Sequence, residues 1–144
     1  MIITNEGLLR IKSRETTVKE CDSQSIFLYL EKELENSNGL GLSAIQIGIP
    51  ICVCIIKTHT GKIIKMINPK IEKQYEPLLM EKEGCLSFPG LYLSTLRYRY
   101  AIVNWLNEKG VFQRAIFTEI DAIIVQHEID HLNGILFIDR EIKK

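Results

Sequence analysis

Three residues near the end of the chain have the types and spacing of a metal-binding helix. His127, Glu128 and His131 form an HExxH sequence. Residues four apart share a helix face, so both imidazoles can bind one metal ion, and the glutamate beside them can accept a proton from water. This is the chemistry of a metal-dependent hydrolase. The alternative, a pair of core histidines, would leave a buried glutamate with no cation to offset its charge.

A hydrolytic metal site usually has three protein ligands and one open position for water. Some HExxH proteins take a third histidine from six residues past the second, but that position here is Phe137, which cannot bind a metal. Others use a glutamate from a later helix, and here only Asp139 and Glu141 follow, without room for a helix. The third ligand is therefore expected upstream of the HExxH sequence.

Cys85 is the favoured upstream ligand, because it follows Gly84, which allows close approach of the backbone. His59, in a polar turn, is an alternative ligand. Cys52 and Cys54 alternate within an apolar run and are assigned to the core. A thiolate with two imidazoles suits iron, zinc, cobalt or nickel, and does not suit calcium or magnesium.

The HExxH sequence is predicted to lie on a helix over residues 119–133. Thr118 and Asp121 resemble a capping box at its start, and Gly134 suits the left-handed position after its end. Apolar residues at helical spacing share a stripe with both histidines, which places these on the side facing the core. The apolar residues of that stripe are Ile120, Ile123 and Ile124.

The rest of the chain predicts one more helix and a series of strands. Apolar residues at three-to-four-residue spacing indicate a helix over residues 23–38, capped by Asp22 or Ser23. The predicted strands are residues 51–56, 63–68, 69–76, 98–106 and 111–117, and a short closing strand at 135–138. Because no helix separates the first five, the sheet is expected to be largely antiparallel and the fold class α+β.

The composition is that of one globular domain and excludes several classes of protein. The 144 residues form a single predicted domain, 1–144, and a hydrophobic fraction of 46% excludes a disordered chain. Basic and acidic residues number 18 each, which argues against a protein that coats nucleic acid. No apolar run approaches ~20 residues and no leader peptide is visible, so neither membrane insertion nor secretion is expected. The four cysteines then favour free thiols in the cytoplasm.

Three segments resemble the signature motifs of peptide deformylases. They occur in the family's order and are GLGLSAIQ at 39–46, EGCLS at 83–87 and QHEIDHLNG at 126–134. The resemblance extends from about Leu9 to Phe137, and it implies antiparallel β-sheets packed around a central HExxH helix, with an N-terminal helix. Tyr92 departs from the arginine that many members have there. The resemblance also implies a short form without the family's usual C-terminal extension, similar to phage-encoded members.

The resemblance implies an activity and a set of site residues. The enzyme would remove the formyl group from the N-terminal formyl-methionine of nascent peptides and release formate. Ferrous iron is the expected metal, with Zn²⁺, Ni²⁺ and Co²⁺ as alternatives. The metal ligands would be Cys85, His127 and His131. Glu128 would act as the base, while the Gln46 side-chain amide and the Leu86 backbone N–H would stabilise the oxyanion.

The resemblance also implies how the substrate binds and which partners to expect. The methionine side chain would enter an apolar slot formed by Leu40, Ile120, Ile123 and Ile124. An extended peptide could add as a strand along open backbone at Gly39, Gly41 and Gly84. The expected partners are N-formyl-Met peptides and nascent chains, with at most a transient ribosome contact and no direct nucleic-acid or membrane binding. A monomer in the bacterial cytoplasm, including that of a phage-infected host, is expected.

Two other functions fit part of the pattern. A general metallopeptidase would need a cleft that is open on both sides of the scissile bond, whereas a formyl group needs only a narrow opening. A non-catalytic metal- or peptide-binding module would close the fourth metal position and would have no use for Glu128 as a base.

Overall fold

A computed structural model describes residues 1–143 of the chain. The helices are α1 (Glu6–Leu9), α2 (Val18–Ser23), α3 (Ile26–Glu35) and α4 (Glu119–Leu132), and 3₁₀ turns lie at Ala44–Ile47 and Phe137–Arg140. The strands are β1 (Gly41–Ser43), β2 (Val53–Lys57), β3 (Ile63–Gly84), β4 (Tyr92–Leu106) and β5 (Phe112–Thr118). Within the described residues, no helix has both the length and the apolar character needed to span a membrane.

The five strands form one antiparallel sheet in the order β1-β2-β3-β4-β5. Each strand pairs with its neighbour in sequence, so β1 and β5 are the two edges. β3 is 22 residues long and pairs first with β2 and then with β4 along most of its length. The predicted strands 63–68 and 69–76 are therefore parts of one bent strand, and the α+β class with antiparallel pairing is confirmed.

Helices cover opposite faces of this sheet because the side chains of a strand alternate between its two faces. On β2, Cys54 and Ile56 pack into the cluster around α4, while Val53 and Ile55 pack into the cluster that contains α3. Every residue of α4 from position 121 to 132 is buried. The HExxH helix is therefore central, as the resemblance implied.

The predicted helix over residues 23–38 corresponds to α3, which is shorter at both ends. A short helix, α2, precedes α3, and Ser25 between them has a left-handed φ of 51°. The N-cap of α3 is Ser25, and neither Asp22 nor Ser23 has that position, so the predicted cap was wrong. Cys21 lies on α2 with 2% of its surface exposed, and it belongs to the core.

The start of α4 is held by a long-range contact. Thr118 is the N-cap residue but makes no side-chain capping bond. Asp121 instead accepts the His59 backbone N–H at 2.8 Å, and its other oxygen lies 2.7 Å from His59 Nδ1. The predicted capping box is therefore wrong, because the turn between β2 and β3 provides a better partner for Asp121 than the local backbone does.

The end of α4 packs against the N-terminal segment. Gly134 has a φ of 74°, which agrees with the predicted left-handed residue after the helix. A Cβ atom at this position would lie 2.5 Å from the backbone oxygen of Arg10. The predicted closing strand at 135–138 is wrong, since the chain enters the 3₁₀ turn there and Arg10 pairs with Asp139 at 2.8 Å.

We expect Gly134→Ala to destabilise the fold more than Gly61→Ala. Gly61 has a φ of 87°, and a Cβ atom added there would meet no other atom within 4 Å, so its substitution should cost only the left-handed backbone penalty, about 1 kcal/mol. At Gly134 the collision with Arg10 should add about 1–3 kcal/mol. Urea unfolding of both variants measures the difference, and equal losses would contradict the packing described for Gly134.

Candidate metal centre

Cys85, His127 and His131 come together although they are distant in sequence. Their ligand atoms all lie within 4.8 Å of one another, and Cys85 Sγ is 3.4 Å from His131 Nε2. The histidines lie on α4, and Cys85 lies in the turn between β3 and β4, where the Phe88 backbone N–H donates to the Cys85 carbonyl. His59, the alternative ligand, lies outside this group and binds Asp121 instead.

The three residues fit a transition-metal ion. Burial lowers the pKa of His131 well below its usual value, which keeps the ring neutral and able to ligate. His131 Nδ1 and Glu128 Oε1 are buried without a hydrogen-bond partner. A cation beside Glu128 would offset the buried carboxylate, and one soft sulfur with two imidazoles is a donor set for iron, zinc, cobalt or nickel.

His127 is oriented by a carboxylate that the motif analysis left without a role. Glu83 Oε2 lies 2.6 Å from His127 Nδ1, which leaves Nε2 as the remaining ligand atom of the ring. Arg97 is 2% exposed and donates to both oxygens of Glu83, at 2.8 and 2.6 Å. Burial opposes charge on Glu83, but hydrogen bonds from Arg97 and His127 hold its pKa well below the usual value. Glu83 is therefore a buried anion that fixes the ligand.

Arg97 also joins Glu83 to the HExxH helix, since its Nη1 donates to Asp130 at 2.7 Å. Glu83 and Asp130 are within or beside recognisable motifs, but Arg97 is 14 residues away from Glu83 on β4. Only the pairing of β3 with β4 brings it there. No local signal in the sequence could have identified it.

Glu128 lies against the edge strand β1. It is 3% exposed, and burial is the main cause that raises its pKa to about 7. A Cβ atom at Gly41 would come within 2.6 Å of Glu128 Oε2, so the carboxylate occupies space that only glycine leaves open. A carboxylate in this setting can both accept and return a proton near neutral pH.

The Gln46 amide is held in one orientation. Its Oε1 accepts hydrogen bonds from the backbone N–H and the hydroxyl of Ser43, each at 3.0 Å. Its Nε2 therefore points the other way, toward Ser87 Oγ at 3.1 Å and Cys85 Sγ at 3.8 Å. The amide N–H groups thus lie beside the Cys85 sulfur.

A cavity of about 470 Å³ opens above these residues. Glu128, Gln46, Cys85, Leu86 and His127 line it, whereas His131 is fully buried behind. The structure also places every residue of the predicted substrate-binding set in its wall, namely Gly39, Leu40, Gly41, Gly84, Ile120, Ile123 and Ile124. A Cβ at Gly39 would lie 2.6 Å from the Leu86 side chain, so Gly39 leaves room for this part of the wall.

Sequence reasoning missed the residues at the mouth of the cavity. Besides Tyr92, the cavity wall there includes Phe88, Leu91, Met80 and Lys82. Tyr92 is paired with Gly84 across the strands, and a Cβ at Gly84 would lie 2.9 Å from its ring. Gly84 therefore seats this ring, in addition to bordering Cys85.

Comparison with known proteins identifies the family. The polypeptide deformylase family profile matches residues 2–144. A peptide deformylase from Synechocystis sp. is 45% identical over 75 residues, which are 52% of this chain and 40% of that protein. The match thus spans less than half the length of this curated relative.

Solved structures agree over nearly the whole chain. A probable peptide deformylase from synechococcus phage S-SSM7 is 34% identical, with a TM-score of 0.89, over 97% of this chain and 98% of that one. A class I type b peptide deformylase from Acinetobacter baumannii, with Met-Ala-Ser bound, is 29% identical, with a TM-score of 0.87, over 97% and 96%. Since the family profile spans almost all of the sequence and the fold agrees, the chain belongs to the polypeptide deformylase family.

Proposed function

We propose that this protein is a peptide deformylase that removes the formyl group from N-terminal formyl-methionine and releases formate. One observation carries the proposal: a Cys/His/His group, a buried carboxylate and an oriented amide meet at one cavity that is bordered by an edge strand. The names of the relatives support the same activity.

Cys85, His127 and His131 would hold one divalent metal, which we propose to be Fe²⁺, with Zn²⁺, Ni²⁺ or Co²⁺ as substitutes. When bound, the metal would supply Lewis-acid chemistry, acidifying water and polarising the formyl oxygen. Glu83 contributes by fixing His127 through Nδ1, at 2.6 Å. Arg97 keeps Glu83 ionised in this buried position.

Glu128 would move the proton. Its carboxylate accepts a proton from the attacking water, whose oxygen forms a bond to the formyl carbon. The bond from that carbon to the methionine nitrogen then breaks, and Glu128 returns the proton to the leaving amine. Formate and a peptide with a free N-terminus result. The buried position of Glu128, beside Gly41, holds the base at the cavity floor.

Two donors would stabilise the charge that develops on the formyl oxygen. One is Gln46 Nε2, which Ser43 orients from the other end of the amide. The other is the Leu86 backbone N–H, in the turn immediately after Cys85. A preorganised donor of this kind typically contributes about 3 kcal/mol of transition-state stabilisation.

The substrate would bind as an added strand. β1 is an edge of the sheet, and Gly41 with its neighbours borders the cavity, so an extended peptide can pair there. The methionine side chain would enter the part of the cavity that Ile120, Ile123 and Ile124 line with apolar surface. The Met-Ala-Ser bound by the Acinetobacter baumannii relative supports a peptide that begins with methionine.

We further propose that the physiological substrates are nascent chains and that any ribosome contact is transient. The proposed setting is the cytoplasm of a bacterium, including one infected by a phage, with the protein acting as a monomer. The similarity to a phage-encoded structure over 98% of that chain supports this setting.

We expect the iron- or nickel-loaded protein to release formate from formyl-Met-Ala-Ser, because its Cys/His/His group, buried carboxylate and oriented amide meet at one cavity. An unblocked longer peptide with internal methionines should stay intact. Formate is measured with a coupled dehydrogenase, and internal cleavage by mass spectrometry. Internal cleavage without formate release would replace the deformylase proposal by that of a general metallopeptidase.

We expect Glu128→Ala to retain the metal and to lower kcat by about 10²–10⁴, the usual contribution of an acid–base group. Glu128→Gln, which preserves the shape against Gly41, should lose similar activity, because the amide cannot accept the proton. Metal content and formate release are measured on the same preparations. Retained turnover in both variants would reject Glu128 as the base.

We expect Cys85→Ser to weaken metal affinity by at least about 100-fold, because a hydroxyl is a much poorer ligand than a thiolate. Cys54→Ser, a change at a fully buried core cysteine, is the matched control and should leave metal stoichiometry unchanged once folded. Elemental analysis after dialysis against a chelator reports both. An unchanged affinity in Cys85→Ser would assign the third ligand to another residue.

A further inference from the structure

Lys82 has an unusual position at the mouth of the cavity. Its φ of 57° is left-handed, a conformation in which residues with a Cβ are strained. It lies in a bulge of β3, since the pairings Met80↔Thr95 and Glu83↔Leu93 separate the partners by three residues on β3 and by two on β4. Such strain and bulges tend to occur where a side chain must be aimed at a functional site.

The bulge changes which way neighbouring side chains point. In a regular strand, adjacent residues face opposite sides of the sheet. Here Glu83 points inward to His127, and Lys82 nevertheless lines the same cavity while remaining exposed to solvent. The extra residue therefore allows one short segment to supply both the buried anion and a cation at the rim.

Lys82 is also free to pair with a charged ligand. The lysine ion pairs within residues 1–143 are those of Lys65 and Lys70, so Lys82 has no acidic partner in the described structure. The acidic residues that line the cavity, Glu83 and Glu128, are buried on its floor. Lys82 is thus the only lysine or arginine among the described residues that line the cavity, and it can attract an anionic ligand at the mouth.

The distance along the strand matches the second and third residues of a bound peptide. Lys82 is three residues from Cys85, at most about 10 Å along an extended strand. An extended peptide whose formyl group lies beside Cys85 covers the same distance in two or three residues. The other rim side chains carry no charge, namely Asn38, Leu40, Met80, Leu91 and Tyr92.

On the basis of the proposed function, we propose that Lys82 is a specificity-determining residue that binds an acidic side chain at the second or third position of the formyl-Met peptide. The ammonium group pairs with the carboxylate at the solvent-exposed rim, so the preference appears in KM and leaves kcat unchanged. Screening by salt weakens it. Basic side chains at the same positions are disfavoured by repulsion.

The test compares formyl-Met-Glu-Ser and formyl-Met-Ala-Glu with the corresponding lysine peptides, on the iron-loaded enzyme at low ionic strength. The wild type should favour the acidic peptides by about fivefold in KM, the upper range for an exposed ion pair. Lys82→Gln should remove the preference and Lys82→Glu should invert it. Lys109→Glu, the same charge change in an exposed turn away from the cavity, should keep the wild-type preference.

A binding measurement separates this inference from catalysis. Calorimetry with the product peptides Met-Glu-Ser and Met-Lys-Ser should show the same order of affinities and the same inversion in Lys82→Glu. Equal affinities in the wild type, or an unchanged preference in Lys82→Glu, would overturn the role of Lys82 while formate release from formyl-Met-Ala-Ser continues. Absence of formate from that peptide would instead overturn the proposed function, and this inference with it.

Discussion

Arg97 and Glu83 form an ion pair at 2.6 Å that is almost fully buried between the sheet and α4. A buried carboxylate is costly unless a cation and hydrogen bonds compensate for its lost hydration. Arg97 supplies both, and Thr95 adds a hydroxyl donor at 2.7 Å. Glu83 can then hold His127 in one orientation. The polar side chains His127 and Asp130 of α4 can therefore stay buried, because the ion pair of Arg97 and Glu83 provides their partners.

The paired strands β3 and β4 position both the buried ion pair and the cavity-lining residues next to Cys85. Its register sets Glu83 near Arg97, and it ends in the turn that carries Cys85. Lys82 lies in the bulge before Glu83 and lines the same cavity. A single strand pair thus supplies a ligand, the anion that orients another ligand, and the rim. A shift of register by one residue would separate them all, because it reverses the face of every side chain.

On the β1 side of the cavity, two glycines leave room for neighbouring side chains. Gly41 leaves the volume that the Glu128 carboxylate occupies, and Gly39 leaves the volume of the Leu86 side chain. Neither residue has a left-handed φ, so their requirement is for close approach and not for backbone freedom. The edge strand can therefore lie directly against the base, which is where an added peptide strand would have to run.

Much of the molecule could be predicted from the chain alone, because the relevant information is local. Helical spacing located α4, and alternation and turns located the strands. The HExxH spacing identified two ligands and a base, and the resemblance of the EGCLS and GLGLSAIQ segments to family motifs implied the other residues that the fold brings to one cavity. Two of the errors concern long-range competition. Asp121 binds His59 instead of capping its own helix. Residues 137–140 form a 3₁₀ turn instead of a strand, with Phe137 against Phe88 and Asp139 paired with Arg10. Arg97 and Lys82 acquire their places only from the pairing and the bulge of β3 and β4. Local spacing determines which side chains share a face, but only tertiary packing determines which buried charge meets which partner, since that depends on the desolvation of groups far apart in sequence.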